Sequence, residues 1–152
     1  MKKFELTSEF VTFLGKTLFR IKALVSFGDV AEGELGGFIE RENNLDQSGD
    51  AWVSDDAKVF GNAKVFGNAW VSGDARVQNC RDYSATSCFG SENRTTTFFR
   101  TKDGGISVRC GCFYGTLREF REKVKERHGD SRLAKEYLML ADLMEFRLSK
   151  DE

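Results

Sequence analysis

At 152 residues, with 23 basic against 24 acidic side chains and a net charge of -1, the chain has room for one folding unit or a repeat core with two small flanking modules. It is too short for two independent enzyme domains. The balanced charge, without a basic tail or a long single-sign run, argues against non-specific binding to duplex nucleic acid. Apolar segments such as Tyr137 to Met144 are interrupted by charge well short of the ~20 residues that span a bilayer, and the opening Met-Lys-Lys-Phe-Glu-Leu lacks a signal-peptide core. A soluble, cytoplasmic protein with no membrane partner is expected.

In chain order, Glu9–Phe13 and Thr17–Leu24 are β-prone runs on either side of Leu14-Gly15-Lys16, which reads as a hairpin capping whatever follows. The stretch from Gly28 to Gly37 holds four glycines and three acidic residues. It has no phosphate-loop spacing and reads as a connection.

From Ser48 to Val77 the sequence repeats every six residues: Ser48-Gly-Asp-Ala-Trp-Val53, Ser54-Asp-Asp-Ala-Lys-Val59, Phe60-Gly-Asn-Ala-Lys-Val65, Phe66-Gly-Asn-Ala-Trp-Val71 and Ser72-Gly-Asp-Ala-Arg-Val77. Ala51, Ala57, Ala63, Ala69 and Ala75 hold one position, and Val53, Val59, Val65, Val71 and Val77 another two residues on. Small and branched residues face inward at strand spacing, and Trp, Lys or Arg stand between them facing out. The Gly or Asp followed by Asp or Asn in each unit supplies a tight corner.

These units resemble the hexapeptide-repeat superfamily, whose members wind three hexapeptides into each turn of a left-handed parallel β-helix and usually assemble as homotrimers. Together with Leu35-Gly-Gly-Phe-Ile-Glu40, Phe98 to Gly104 and Cys110-Gly-Cys-Phe-Tyr-Gly115, the chain is also similar to small hexapeptide-repeat proteins of phages and prophages of Gram-positive bacteria. The resemblance implies a mainly β fold: a short left-handed parallel β-helix with an N-terminal hairpin cap and a C-terminal hairpin plus two-helix module. The corresponding segments are 1–47, 48–77 and 78–152. If the chain is phage-encoded, its compartment is the host-cell cytoplasm.

With three hexapeptides to a turn, residues eighteen apart stack at the inter-strand spacing of roughly 4.8 Å. Trp52 then lies on Trp70 and Lys58 on Arg76. The tryptophan ladder is expected on an outer face, as the oligomer interface of a homotrimer. The cation ladder is unfavourable unless acidic neighbours or a bound anion offset it.

After Val77 the register fails, and residues 80 to 94 read as polar and irregular. Thr95–Thr101, the turn Lys102-Asp-Gly-Gly105 and Ile106–Cys110 make a second hairpin. Thr116-Leu-Arg-Glu119 is a capping box opening a helix that Gly129 ends, and Asp130 or Ser131 caps a second helix with Leu133, Tyr137, Leu140, Ala141 and Met144 on one face. Cys80, Cys88, Cys110 and Cys112 lack the short gaps of common zinc knuckles, so reduced, packed thiols and no metal are expected.

Two classes of function fit these residues. An acyltransferase of the hexapeptide-repeat type needs a histidine general base, and the chain's one histidine, His128, falls at a helix end away from the repeats. A non-catalytic binding protein without a cofactor fits better. Phe98, Arg100, Lys102 and Arg109 on the second hairpin, with Lys58 and Arg76 on the repeats, combine aromatic faces and cations suited to an anionic, nucleotide-like small molecule. On the phage resemblance, its role would be sequestering a nucleotide signal of antiviral immunity or blocking a host defence protein. A purely structural or assembly protein is the third reading.

Overall fold

The computed structural model describes residues 2–89, 94–111 and 113–149. Strands β1 (Phe4–Phe13) and β2 (Lys16–Ala23) form the first hairpin. Its two-residue turn places both Leu14 and Gly15 at positive φ, the geometry that matches strand twist. The segment read as a connection contributes a strand, β3 (Leu35–Ile39), antiparallel to β2.

The repeats supply four strands of two residues each: β4 (Trp52–Val53), β5 (Lys58–Val59), β6 (Trp70–Val71) and β7 (Arg76–Val77). Trp52 pairs in parallel with Trp70, and Lys58 with Arg76, eighteen residues apart in each case. The parallel register continues backwards: Ile39 pairs with Val59 and Leu45 with Val65, but now twenty residues apart. Two extra residues therefore sit between Leu45 and Val53. The start of β1 clasps this insertion. The Lys3 amide donates to Gln47 Oε1 at 2.6 Å, and the buried Lys3 ammonium donates to the Ala51 carbonyl at 2.8 Å and lies 4.7 Å from the Phe27 ring.

The expectation of a mainly β chain organised as a left-handed β-helix is corrected. The molecule is mixed α and β, with two helices and three small sheets among the described residues: a mixed one (β1-β2-β3-β5-β7), a parallel pair (β4-β6) and an antiparallel one. The repeat strands are too short and too divided between sheets to dominate the architecture. Most regular structure lies in the flanks.

Residues read as irregular form β8 (Tyr83–Phe89), which joins β9 (Arg94–Arg100), β10 (Ile106–Cys110) and β11 (Phe113–Thr116) in the antiparallel sheet. The second hairpin is β9-β10, with Ile106 opposite Arg100. Thr116 Oγ1 accepts from the Glu119 amide while Glu119 Oε1 accepts from the Thr116 amide, opening α1 (Leu117–His128) with both halves of the capping box. Gly129, at φ 57°, ends it, and Ser131 caps α2 (Arg132–Leu148).

Two main cores result. One gathers the repeat alanines and valines with Phe4, Ile21, Trp52 and Phe99; the other holds Phe98, Val108 and the inner faces of both helices. The predicted outer tryptophan ladder is absent as such. Trp52 is 0% exposed, edge-on to Phe27 at 5.4 Å, because β3 and the N-terminal hairpin cover it. Trp70 is half-buried, its indole N–H donating to Ser54 Oγ at 2.8 Å. The exposed strip on which a homotrimer was expected is thus filled within one chain.

No helix among the described residues is long and apolar enough to cross a membrane.

Candidate functional site

The register of the mixed sheet aligns four side chains on adjacent strands: Arg20 opposite Phe38, Phe38 opposite Lys58, and Lys58 opposite Arg76. Three strand spacings make this row roughly 14 Å long. The tip of the first hairpin folds over it. Phe13 packs edge-on to Phe60 at 5.5 Å, with the Arg76 guanidinium 4.4 Å and the Lys58 ammonium 5.8 Å from its ring centre. Arg20 stacks on Phe38 at 4.2 Å.

Charge along the row is unbalanced. Arg20 is paired, with Glu9 at 2.8 Å and Asp56 at 3.4 Å. Lys58 reaches only the backbone carbonyl of Asp56 at 3.3 Å, and neither Lys58 nor Arg76 has a carboxylate within ion-pair distance among the described residues. Burial holds the Lys58 pKa below its ordinary 10.5, and the positive charges of Arg76, Lys102 and Arg20 push it the same way against Asp56. Aromatic faces compensate part of the repulsion between cations. An anion between Lys58 and Arg76 would compensate more of it.

This shift fixes the sign of a pH effect. Because folding lowers the Lys58 pKa, the unfolded chain binds more protons between that lowered value and 10.5, so the lysine's penalty is full below this window and fades as pH rises through it. Wild type should therefore gain stability relative to Lys58→Met on going up through the alkaline range, as measured by urea unfolding of both proteins. A constant difference would remove Lys58 from the electrostatic account.

Of the residues singled out in the sequence, Lys58, Arg76 and Lys102 come together here. The rest do not. Phe98 is fully buried, edge-on to Phe120 at 5.7 Å, so no ring face is left for a ligand. Arg100 pairs with Asp82 at 3.1 Å and donates to the carbonyls of Leu148 at 2.6 Å and Ser149 at 3.3 Å. It ties the turn after the repeats to the C-terminal end of α2, and is corrected from a ligand residue to a structural one. A cleft of about 650 Å³ beside it is lined also by Arg81, Ser84, Phe146 and Arg147. Arg109 pairs across the hairpin with Thr97, which alternation places on the face opposite Phe98 and Arg100, and its guanidinium stacks 4.2 Å from Trp70.

His128 lies at the end of α1, stacked on Tyr137 at 5.8 Å, in the helical module and not on the repeats. Cys80 and Cys110 are free thiols, while Cys112 and the side chain of Cys88 lie outside the described residues. No cluster of metal-binding side chains occurs among the described residues.

Sequence reasoning missed Phe13, Arg20 and Phe38. Phe38 belongs to the same ladder as Lys58 and Arg76, but its spacing of twenty hides it. Phe13 and Arg20 carry no periodic signal at all, since they arrive from an antiparallel hairpin.

Compared with known proteins, the chain matches no protein-family model, and no curated protein is significantly similar to it.

Proposed function

We propose that this protein is a non-catalytic binder of a small phosphate-bearing, nucleotide-like anion, held between Lys58 and Arg76 with Lys102 at its edge. One observation carries the reading: two cations are fixed side by side on adjacent parallel strands with no carboxylate partner among the described residues, beside two more of the same sign. A phosphate accepts charge-assisted hydrogen bonds from both an ammonium and a guanidinium. Binding also relieves the repulsion that disfavours charge on Lys58. The resemblance to phage repeat proteins gives such a binder a role, withholding a nucleotide-like signal from a host defence system.

Isothermal calorimetry with pyrophosphate and a panel of linear and cyclic nucleotides tests this directly. A charge-assisted contact contributes on the order of 1.5 to 3 kcal/mol, so Arg76→Gln should weaken binding at least about tenfold, and Lys58→Met with Arg76→Gln should abolish it. Heat should also fall with added salt. Absence of heat with every ligand, or affinity unchanged in the double variant, overturns the assignment.

A further inference from the structure

Lys102 is brought to the Lys58 and Arg76 pair by backbone contacts from another module. The β9-β10 turn docks on the end strand of the mixed sheet: Thr101 bridges antiparallel to Ala75, and the Lys102 amide donates to the Asp74 carbonyl at 3.0 Å. The cations therefore run from Lys58 on β5, across to Arg76 on β7, and on to Lys102 beyond β7. Phe13 reaches the pair from the opposite direction. It packs on Phe60, two residues past Lys58, whereas Lys102 is anchored two residues before Arg76, and β5 and β7 are parallel. The ring does not lie between the pair and Lys102.

Towards β2 the row is closed. Phe38 is buried with the Arg20 guanidinium stacked on it, and Arg20 is held by Glu9 at 2.8 Å and Asp56 at 3.4 Å. The Lys102 ammonium has no carboxylate within ion-pair distance among the described residues. Burial is the main cause of the lowered Lys58 pKa; among the cations Arg76 contributes most, then Lys102, then Arg20. An anion that begins on Lys58 and Arg76 finds its next free charge at Lys102.

We infer that the ligand is a linear triphosphate, its phosphoryl groups laid in order along Lys58, Arg76 and Lys102, an inference that rests on the binding site proposed above. The spacing suits a chain better than a point charge. Lys58 and Arg76 stand one strand spacing apart, roughly 4.8 Å, and Lys102 is attached one strand farther on and two residues, roughly 6 to 7 Å, along the strand direction. A single phosphate can bridge the first two cations and leaves the third unmatched. A cyclic phosphodiester, singly charged and without a terminal phosphoryl group, offsets the least repulsion. Three neighbouring cations are best offset by a polyanion that meets each of them. Nucleoside triphosphates and inorganic tripolyphosphate both carry such a chain.

Calorimetry of the full chain without divalent cations, against phosphate, pyrophosphate, tripolyphosphate, ATP and cyclic AMP, tests the inference. Affinity should rise at each step from phosphate to tripolyphosphate, by about tenfold or more at the last, the scale of one charge-assisted contact. Cyclic AMP should bind more weakly than pyrophosphate. Lys102→Gln should remove most of the last step, with little change in melting, because the fold uses the Lys102 amide. Lys64→Gln, an equal loss of charge on the strand that pairs with Leu45, should leave that step intact. ATP binding at least as tightly as tripolyphosphate assigns the site to a nucleotide, and tripolyphosphate well above ATP assigns it to the inorganic chain; both support a triphosphate. Equal affinity for pyrophosphate and tripolyphosphate, cyclic AMP binding as tightly as either, or a last step that survives Lys102→Gln overturns the triphosphate and leaves the phosphate site standing. No heat with any of the five compounds overturns both.

Discussion

Trp52→Ala should destabilise the protein by about 3 to 5 kcal/mol, the range for emptying the site of a fully buried tryptophan. The indole fills the space between the repeats and the N-terminal module, edge-on to Phe27 and beside the Gly36 backbone. No neighbour can collapse into that volume easily, because β3 is bonded to β2 on one side and to β5 on the other. The loss should therefore couple both modules, and urea unfolding should remain a single transition at a lower midpoint. For a chain of this length the melting temperature should fall by roughly 6 to 20 °C. Trp52→Phe separates volume from polarity. The indole N–H is buried without a hydrogen-bond partner among the described residues, and removing an unsatisfied donor offsets part of the lost packing. The phenylalanine variant should thus lie much closer to wild type than to the alanine one. A melting change of only a degree or two in Trp52→Ala would mean the indole is not the wedge between the modules.

What was legible in the sequence was whatever repeats at fixed spacing or is set by local chemistry. The eighteen-residue pairing of Trp52 with Trp70 and of Lys58 with Arg76 is what the six-residue period implies once three units make a turn, as the resemblance to hexapeptide-repeat proteins has it. The turn at Leu14-Gly15, the β9-β10 hairpin and both helix caps follow from residues within a few positions of one another. Long-range packing left no such signature. The two-residue insertion between Leu45 and Val53 conceals that Ile39 and Leu45 continue the valine ladder, and β8 (Tyr-Ser-Ala-Thr-Ser-Cys-Phe), an edge strand paired with the β9 that follows it, is too polar to show apolar alternation. The fold class was misjudged for a related reason. A perfect period draws attention to thirty residues, whereas the flanks form the antiparallel sheet and both helices.

The candidate site shows the same division. Lys58 and Arg76 were readable as a stacked pair of cations, and the structure adds the aromatic groups and further charges that surround them. Arg100 and Phe98 looked like ligand residues because sequence alone could not show the end of α2 and the ring of Phe120 occupying their functional groups. Residue type indicated chemistry; only the partners decide whether that chemistry is available.

Gly36→Ala should be a strongly damaging single-methyl change. Gly36 lies in the stretch read from the sequence as a connection, and it serves for close approach. A Cβ at Gly36 would lie 2.5 Å from the Val53 carbonyl oxygen and 2.7 Å from both Ile21 Cγ1 and Trp52 Cζ2, and at Gly37 it would lie 2.7 Å from the Ala57 carbonyl oxygen. Two of these obstacles are backbone atoms of the repeats, held by the parallel hydrogen bonds from Ser54 to Val71 and from Phe38 to Ala57. They cannot rotate away as a side chain can. Overpacking of this kind costs typically 1 to 3 kcal/mol and sometimes more, and here it would prise β3 off β5, so a loss at or above roughly 3 kcal/mol is expected for Gly36→Ala. Gly67 supplies the control. It has φ 67° and no atom within 4 Å of its own Cβ position, so Gly67→Ala meets only the left-handed backbone penalty of about 1 to 2 kcal/mol. The order Gly36→Ala well below Gly67→Ala, and Gly67→Ala modestly below wild type, is the result expected from chemical unfolding of the three proteins. Equal losses at the two glycines would mean that backbone conformation, and not the contact of β3 with the repeats, sets the need for glycine there.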